Sequence, residues 1–150
     1  MIQLEPIGIV KSTGTEDLDT DWGEVTAEIV LDEALTDGLQ GLDAFSHILV
    51  VFYMHQATFD PATDLVRRPR GRADMPPIGI FAQRPKMRPN HIGITAVPLL
   101  GIEGNIVRVK GLDAVDGTSL LPNCHIPQYS LLDSAMKAIE HSPTFSSHLQ

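Results

Sequence analysis

Residues Ile48 to Met54 read ILVVFYM, an unbroken apolar run rich in β-branched and aromatic residues. Such a run predicts a central strand buried on both faces, and the rest of the fold must be able to cover it. It is led in by Asp43-Ala44-Phe45-Ser46-His47 and ends at the polar pair His55-Gln56. Pro6 to Val10 and Glu24 to Leu31 read as further strands, the second alternating so that Val25, Ala27, Ile29 and Leu31 turn inward. Pro98 to Ile102 and Ile106 to Val109 form a hairpin that turns at Glu103-Gly104-Asn105. Helical spacing occurs at Leu35, Leu39 and Leu42 within Asp32 to Leu42, which Gly38 and Gly41 keep short. It occurs again at Leu131, Leu132, Ala135, Met136 and Ile139 within Tyr129 to Glu140. With roughly six or seven strands and no alternation of strand and helix, the pattern predicts a mainly β fold. A small single-domain β-barrel or closed sheet with short helices is expected, not a Rossmann fold.

The chain has 150 residues, the size of one domain, so residues 1–150 are read as a single unit. Past Pro143 the sequence is polar, and the tail from about residue 141 is expected to be flexible. Cys124 is the only cysteine, which excludes an intramolecular disulfide framework and a multi-cysteine zinc site. His47, His55, His91 and His125 are too scattered for a metal motif, so no metal is expected. No apolar run approaches the ~20 residues that span a bilayer, and the start lacks the order of a signal peptide, so no membrane and a cytoplasmic location are expected. There is neither a GxGxxG nor a glycine-rich phosphate loop, which argues against nucleotide-triphosphate chemistry. The net charge of -8 excludes coating nucleic acid through bulk charge but permits a local basic mouth.

Candidate site residues cluster around Ile78 to Gly93, IGIFAQRPKMRPNHIG. This stretch begins as a strand, breaks at Pro85 and returns through a turn at Pro89-Asn90. Arg84, Lys86 and Arg88 place three cations within five residues. Cations on a short loop between buried strands suit a carboxylate or phosphate ligand, or else a basic surface turn that neutralises nearby acids. Both readings stay open on these residues alone. His55 and Gln56, at the mouth of the most buried strand, either meet a ligand or cap the strand; His47, before it, is expected to be structural and to bond backbone. Ala57 to Pro77 reads as a long polar loop whose RRPRGR carries Arg67, Arg68, Arg70 and Arg72, as a solvated run or as a nucleic-acid contact. Trp22-Gly23 closes the polar, exposed loop of Ser12 to Asp21, as a core anchor or a pocket wall. Asp113 to Thr118 contains a tight Asp-Gly-Thr turn with exposed backbone groups. Ser-His-Asp geometry is not legible, and the adjacency of Cys124 and His125 does not place sulfur against imidazole. These residues define a β-barrel with a cationic pocket at one end, and no reaction.

Four segments together, PIGIVKS, GLDAFSHILVVFYMHQ, IGIFAQRPKMRPNHIGI and LLGIEGNIVRVKGLDAVDGT, resemble the TsaA-like proteins, also called the TrmO or VirR-like family. They occur in the family's order and span Pro6 to Thr118. The resemblance implies a small β-barrel that is usually a dimer, with S-adenosyl-L-methionine bound near the subunit interface. It also implies methyl transfer to N6 of threonylcarbamoyladenosine in tRNA. By position it assigns His55, Gln56, Arg84, Ile94, Ala114, Val115, Asp116 and Gly117 to the cofactor, with Trp22 as a further wall. It leaves Arg67, Arg68, Arg70, Arg72, Lys86 and Arg88 to meet tRNA. No catalytic residue is implied. Where the family has RSxFRPNPIG, this chain has RPKMRPNHIG, with Pro85, Met87 and His91 at the altered positions. After the Asp-Gly-Thr turn it reads SLLPNCHIP, without the Asp, Lys and Tyr of the family's segment. A methyltransferase or another S-adenosyl-L-methionine-using enzyme acting on a small molecule, and a cofactor-binding module without turnover, are the alternatives.

Overall fold

Six antiparallel strands close into a barrel in the computed structural model, which describes residues 2–13 and 22–121. They are β1 (Gly8–Ser12), β2 (Thr26–Leu31), β3 (His47–Tyr53), β6 (Ile92–Glu103), β7 (Ile106–Lys110) and β8 (Ser119–Leu120). The order around the barrel is β1-β2-β7-β6-β3-β8, and β8 pairs with both β3 and β1 to complete the circle. Closure gives each of these six strands a paired neighbour on both sides, the contacts to β8 being only two residue pairs each.

A closed barrel has one interior, and each strand sends alternate side chains into it. This corrects the expectation for Ile48 to Met54. In β3 only Ile48, Val50 and Phe52 are buried, whereas Leu49 and Val51 are half-buried and Tyr53 is exposed. The apolar run thus covers one buried face and one outer face, and its continuity reflects the outer face rather than a second layer. Val10, Ala27, Ile29, Val97, Val107 and Val109 complete the interior, together with Leu112, Ala114 and Leu120. Each of these Val, Ile and Leu side chains, fully buried, contributes about 1.5–3 kcal/mol. In β2, Ala27 and Ile29 turn inward as the alternation predicts, while Val25 precedes the strand and Leu31 is half-buried.

The hairpin partner is longer than expected. β6 runs from Ile92, and Pro98 sits inside it opposite His47, next to a bulge between Leu99 and Gly101. The turn into β7 is tighter: Gly104 at φ 60 and Asn105, whose side chain donates to the Leu31 carbonyl at 2.7 Å. Asp32 to Leu42 is not one α-helix. Two 3-10 segments, Glu33–Leu39 and Leu42–Ala44, flank Gly41 at φ 83, a backbone conformation that ends a helix. His47 Nδ1 meets the Ser46 hydroxyl at 3.0 Å, a side chain rather than backbone.

Residues 57–77 are not a plain loop either. They hold α1 (Pro61–Asp64) and β4 (Val66–Arg67), and β4 pairs with β5 (Ile78–Gly79) as a small sheet outside the barrel. Asp60 caps α1 by accepting from the Ala62 amide at 2.9 Å. Buried Asp64 accepts from the Asp60 amide at 2.8 Å and from Arg67 Nη1 at 3.0 Å. These two donors replace water that burial removes from the carboxylate oxygens. The segment Tyr129 to Glu140, Cys124, His125 and the tail lie outside the described residues, as does most of the loop before Trp22.

Candidate functional site

β3 ends at Tyr53, and the chain turns outward so that Met54, His55 and Gln56 stand at the barrel's mouth. Opposite them, β5 runs into a 3-10 turn, Ile80–Ala82, anchored by buried Ile80, whose amide donates to the Leu65 carbonyl at 2.8 Å. Gln83 and Arg84 follow at once. The turn after β7 supplies the third wall, from Asp113 to Val115. Together they enclose a cleft of about 740 Å³, floored by Phe52, Met54, Ala114 and Thr118.

The residues proposed to meet ligand separate here into those that converge and those that do not. His55, Gln56, Arg84, Ala114 and Val115 line the cleft, as do Arg67, Arg68, Arg70, Lys86 and Arg88. Ile94 does not line it; its side chain is exposed on the outside of β6, and only its carbonyl takes part, accepting from Arg84 Nη2. Asp116 and Gly117 lie behind the wall. Asp116 Oδ1 accepts from the Ser12 amide at 3.0 Å, and the Gly117 amide donates to Val10 at 2.8 Å, which pins the turn to β1. Arg72 is diverted from the cleft into an exposed pair with Asp74, at 2.6 Å. Trp22 opens the 3-10 turn Trp22–Glu24, and its side chain is outside the described residues.

Local backbone explains the display of cations. Arg70 at φ 50 and Gly71 at φ 67 bend the Pro69–Gly71 turn so that Arg70 faces the cleft. Asn90 at φ 64 and His91 at φ 52 make a second left-handed bend that returns the chain to β6. Arg88 lies inside the curve, donating from Nε to Pro85 at 2.7 Å and from Nη1 to Ile92 at 3.2 Å. Burial holds its pKa below the usual arginine value, and neighbouring Arg84 lowers it further, while Asp113 opposes both.

Sequence does not single out Gln83, and it offers Asp113 only for the backbone groups of its turn. Gln83 donates from Nε2 to the Arg67 carbonyl at 2.9 Å and to the Ile78 carbonyl at 2.8 Å. Asp113 is the only carboxylate among the described lining residues. Its Oδ1 accepts from the Thr95 hydroxyl at 2.5 Å. The position of Gln83 just before Arg84 was a signal for the first; for Asp113 there was only membership of the turn. Among the described residues no group of three or more His, Cys, Asp or Glu is placed to hold a metal, and no helix is long and apolar enough to cross a membrane.

A closed antiparallel barrel with a cation-lined cleft at one mouth defines a class: a small antiparallel β-barrel domain. The sequence model of the tRNA-methyltransferase O N-terminal domain matches residues 19–123, and the chain belongs to that family. It is 31% identical over 140 residues to a probable S-adenosyl-L-methionine-binding protein of Pyrococcus abyssi, covering 89% of this chain and 73% of the relative. It is 38% identical over 91 residues to the tRNA (adenine(37)-N6)-methyltransferase of Escherichia coli, covering 57% of this chain and 37% of that enzyme. A crystal structure of TrmO from P. aeruginosa superposes with a TM-score of 0.68 at 25% identity, over 87% of this chain and 57% of that one. The chain thus spans less than two thirds of these two longer methyltransferases.

Proposed function

We propose that this chain binds S-adenosyl-L-methionine in the cleft and transfers its methyl group to N6 of threonylcarbamoyladenosine in tRNA, as a cytoplasmic homodimer. The observation that carries the reading is the convergence of Arg84, His55-Gln56 and Ala114-Val115 on one cleft, in a member of this family. The donor set fits the cofactor. A guanidinium suits the methionine carboxylate, an imidazole and a carboxamide suit polar edges, and the Phe52, Met54 and Ala114 floor suits a flat apolar ring.

In this reading Arg84 pairs with the amino-acid carboxylate, steadied by the Ile94 carbonyl. Ala114 and Val115 border the adenine, with Asp116 and Gly117 fixing their turn from behind and Trp22 as a further wall. The bound cofactor supplies an electrophilic methyl group. The protein's contribution is then alignment of the acceptor nitrogen and exclusion of water, which together lower the barrier by roughly several kcal/mol. Arg67, Arg68, Arg70, Lys86 and Arg88 form the rim where tRNA phosphates would dock, and Arg72 is the least suited of the predicted set. The outer faces of β3 and β6 support dimerisation. There Leu49, Val51 and Tyr53 pair with Ala96, Ile94 and Ile92, an apolar strip on the barrel wall.

Calorimetry with S-adenosyl-L-methionine tests the cofactor, and Arg84→Ala should weaken binding more than tenfold. Methyl incorporation into tRNA from a strain lacking the modification tests the acceptor, and sedimentation tests the dimer. Absence of cofactor binding by the unaltered chain would sink the proposal. One sequence observation favours a second reading: the altered SLLPNCHIP segment, where the family has Asp, Lys and Tyr. If the cofactor binds and tRNA takes up no methyl, a small-molecule acceptor or a module without turnover replaces the tRNA assignment.

A further inference from the structure

S-adenosyl-L-methionine carries two positive centres, the sulfonium and the α-ammonium, and one carboxylate. Its net charge is positive. The cleft that is to receive it is lined by Arg67, Arg68, Arg70, Arg84, Lys86 and Arg88. By Coulomb's law such a lining attracts one end of the ligand and repels the other two charged groups. Cation recognition therefore has to come from elsewhere in the cleft, and Asp113 is the only carboxylate among the described lining residues.

The framework of β6 sets the two signs of charge side by side. Arg84 is tied to the carbonyl of Ile94, and Asp113 is tied to the hydroxyl of Thr95, the next residue along the strand, at 2.5 Å. Arg88, tied to Ile92 at 3.2 Å, lies close enough for its charge to interact with both. A guanidinium and a carboxylate anchored on consecutive strand residues form a fixed dipole at the cleft wall. That dipole matches a ligand that has opposite charges a few bonds apart. The Thr95 hydroxyl occupies Oδ1, and a carboxylate has acceptor sites on its second oxygen as well.

We infer that Asp113 is the counter-charge for a positive centre of the bound cofactor, while Arg84 holds the cofactor's carboxylate. This inference rests on the cofactor assignment made above. It assigns Asp113 a binding task that differs from the backbone contacts of the Asp-Gly turn it begins. It also explains how a cleft dominated by cations accepts a net-positive ligand.

Isothermal titration of Asp113→Asn with S-adenosyl-L-methionine and with S-adenosylhomocysteine provides the test. Asparagine keeps an oxygen for Thr95, so the thermal midpoint should stay close to that of the unaltered protein. The affinity for S-adenosyl-L-methionine is expected to fall at least fivefold. An equal fall for S-adenosylhomocysteine, which keeps the ammonium and lacks the sulfonium, assigns Asp113 to the ammonium. A fall confined to S-adenosyl-L-methionine assigns it to the sulfonium. Added salt should weaken S-adenosyl-L-methionine binding by the unaltered protein more than by the variant. If Asp113→Asn binds both ligands within twofold of the unaltered protein, the inference is overturned while the cofactor assignment stands. If the unaltered protein binds neither ligand, both are overturned.

Discussion

The Gln83 side chain bridges the carbonyls of Arg67 and Ile78, at 2.9 and 2.8 Å, and so fastens the cationic loop to the strand that leads to Arg84. Gln83 and Arg67 are 16 residues apart in sequence, and β4 and β5 share only two registered pairs. So short a ladder is marginal by itself. The carboxamide adds two bonds at the point where the lobe meets the cleft.

Removal of this bridge should loosen the lobe more than the barrel. Gln83→Ala leaves two partly buried carbonyls without their donor, at a cost of about 1–2 kcal/mol. Hydrogen exchange should quicken at the β4 and β5 amides and stay slow in β3 and β6. Uniform quickening of both would show that the lobe and barrel unfold as one unit.

Packing at the barrel floor makes a sharper prediction. Gly93 faces Phe52 across the β3–β6 pair, and a Cβ at Gly93 would stand 2.5 Å from ring atoms of Phe52. Gly93→Ala should destabilise the fold by about 1–3 kcal/mol in urea unfolding. Adding Phe52→Leu should recover part of the loss, because the two sites share one space. Additive losses in the double variant would place the strain elsewhere.

The cations at the mouth should differ in their effect on RNA. Each phosphate contact contributes about 0.7–0.9 to the slope of log affinity against log salt. Arg70→Ala should lower that slope by about one contact. Arg72→Gln should leave it unchanged, since Arg72 is engaged with Asp74 outside the cleft. A larger effect for Arg72 than for Arg70 would relocate the RNA-binding surface.

The same pair has a pH signature. The hydrogen bond from Arg72 lowers the Asp74 pKa below its ordinary value of 3.8. A carboxylate depressed on folding contributes stability above its unfolded pKa and loses it as pH falls through the folded one. Carboxyl-carbon NMR should therefore give Asp74 a midpoint below 3.8, rising toward that value in Arg72→Gln. Because the pair is fully exposed, its effect on global unfolding should be slight. An unchanged midpoint in the variant would deny the pairing.

Alternation in Glu24 to Leu31, the apolar run after His47 and the hairpin at Gly104 were all legible because strand burial repeats every two residues and turns need particular φ angles. The start of a strand at Ile78 was legible too, but β4 and its pairing with β5 were not, since a two-residue strand leaves no periodic trace. The fate of Arg72 was equally hidden. RRPRGR reads as four equivalent arginines, and only the fold hands Arg67 to Asp64, Arg72 to Asp74 and Arg70 to the cleft.

Composition and pattern alone determined that this protein is β-rich, that its cations gather near Arg84, and that His55-Gln56 ends the principal strand. Those are properties of neighbours along a chain. Tertiary structure decided that the barrel has a single interior, that Ile94 contributes a carbonyl rather than a side chain, and that Asp113 stands against Thr95. The physical reason is strand pairing. Thr95 and Asp113 meet by extension of the β6–β7 hairpin, whose register shifts at the bulge between Leu99 and Gly101, while the barrel around them closes only when β8 pairs with both β1 and β3, and no local sequence encodes those registers.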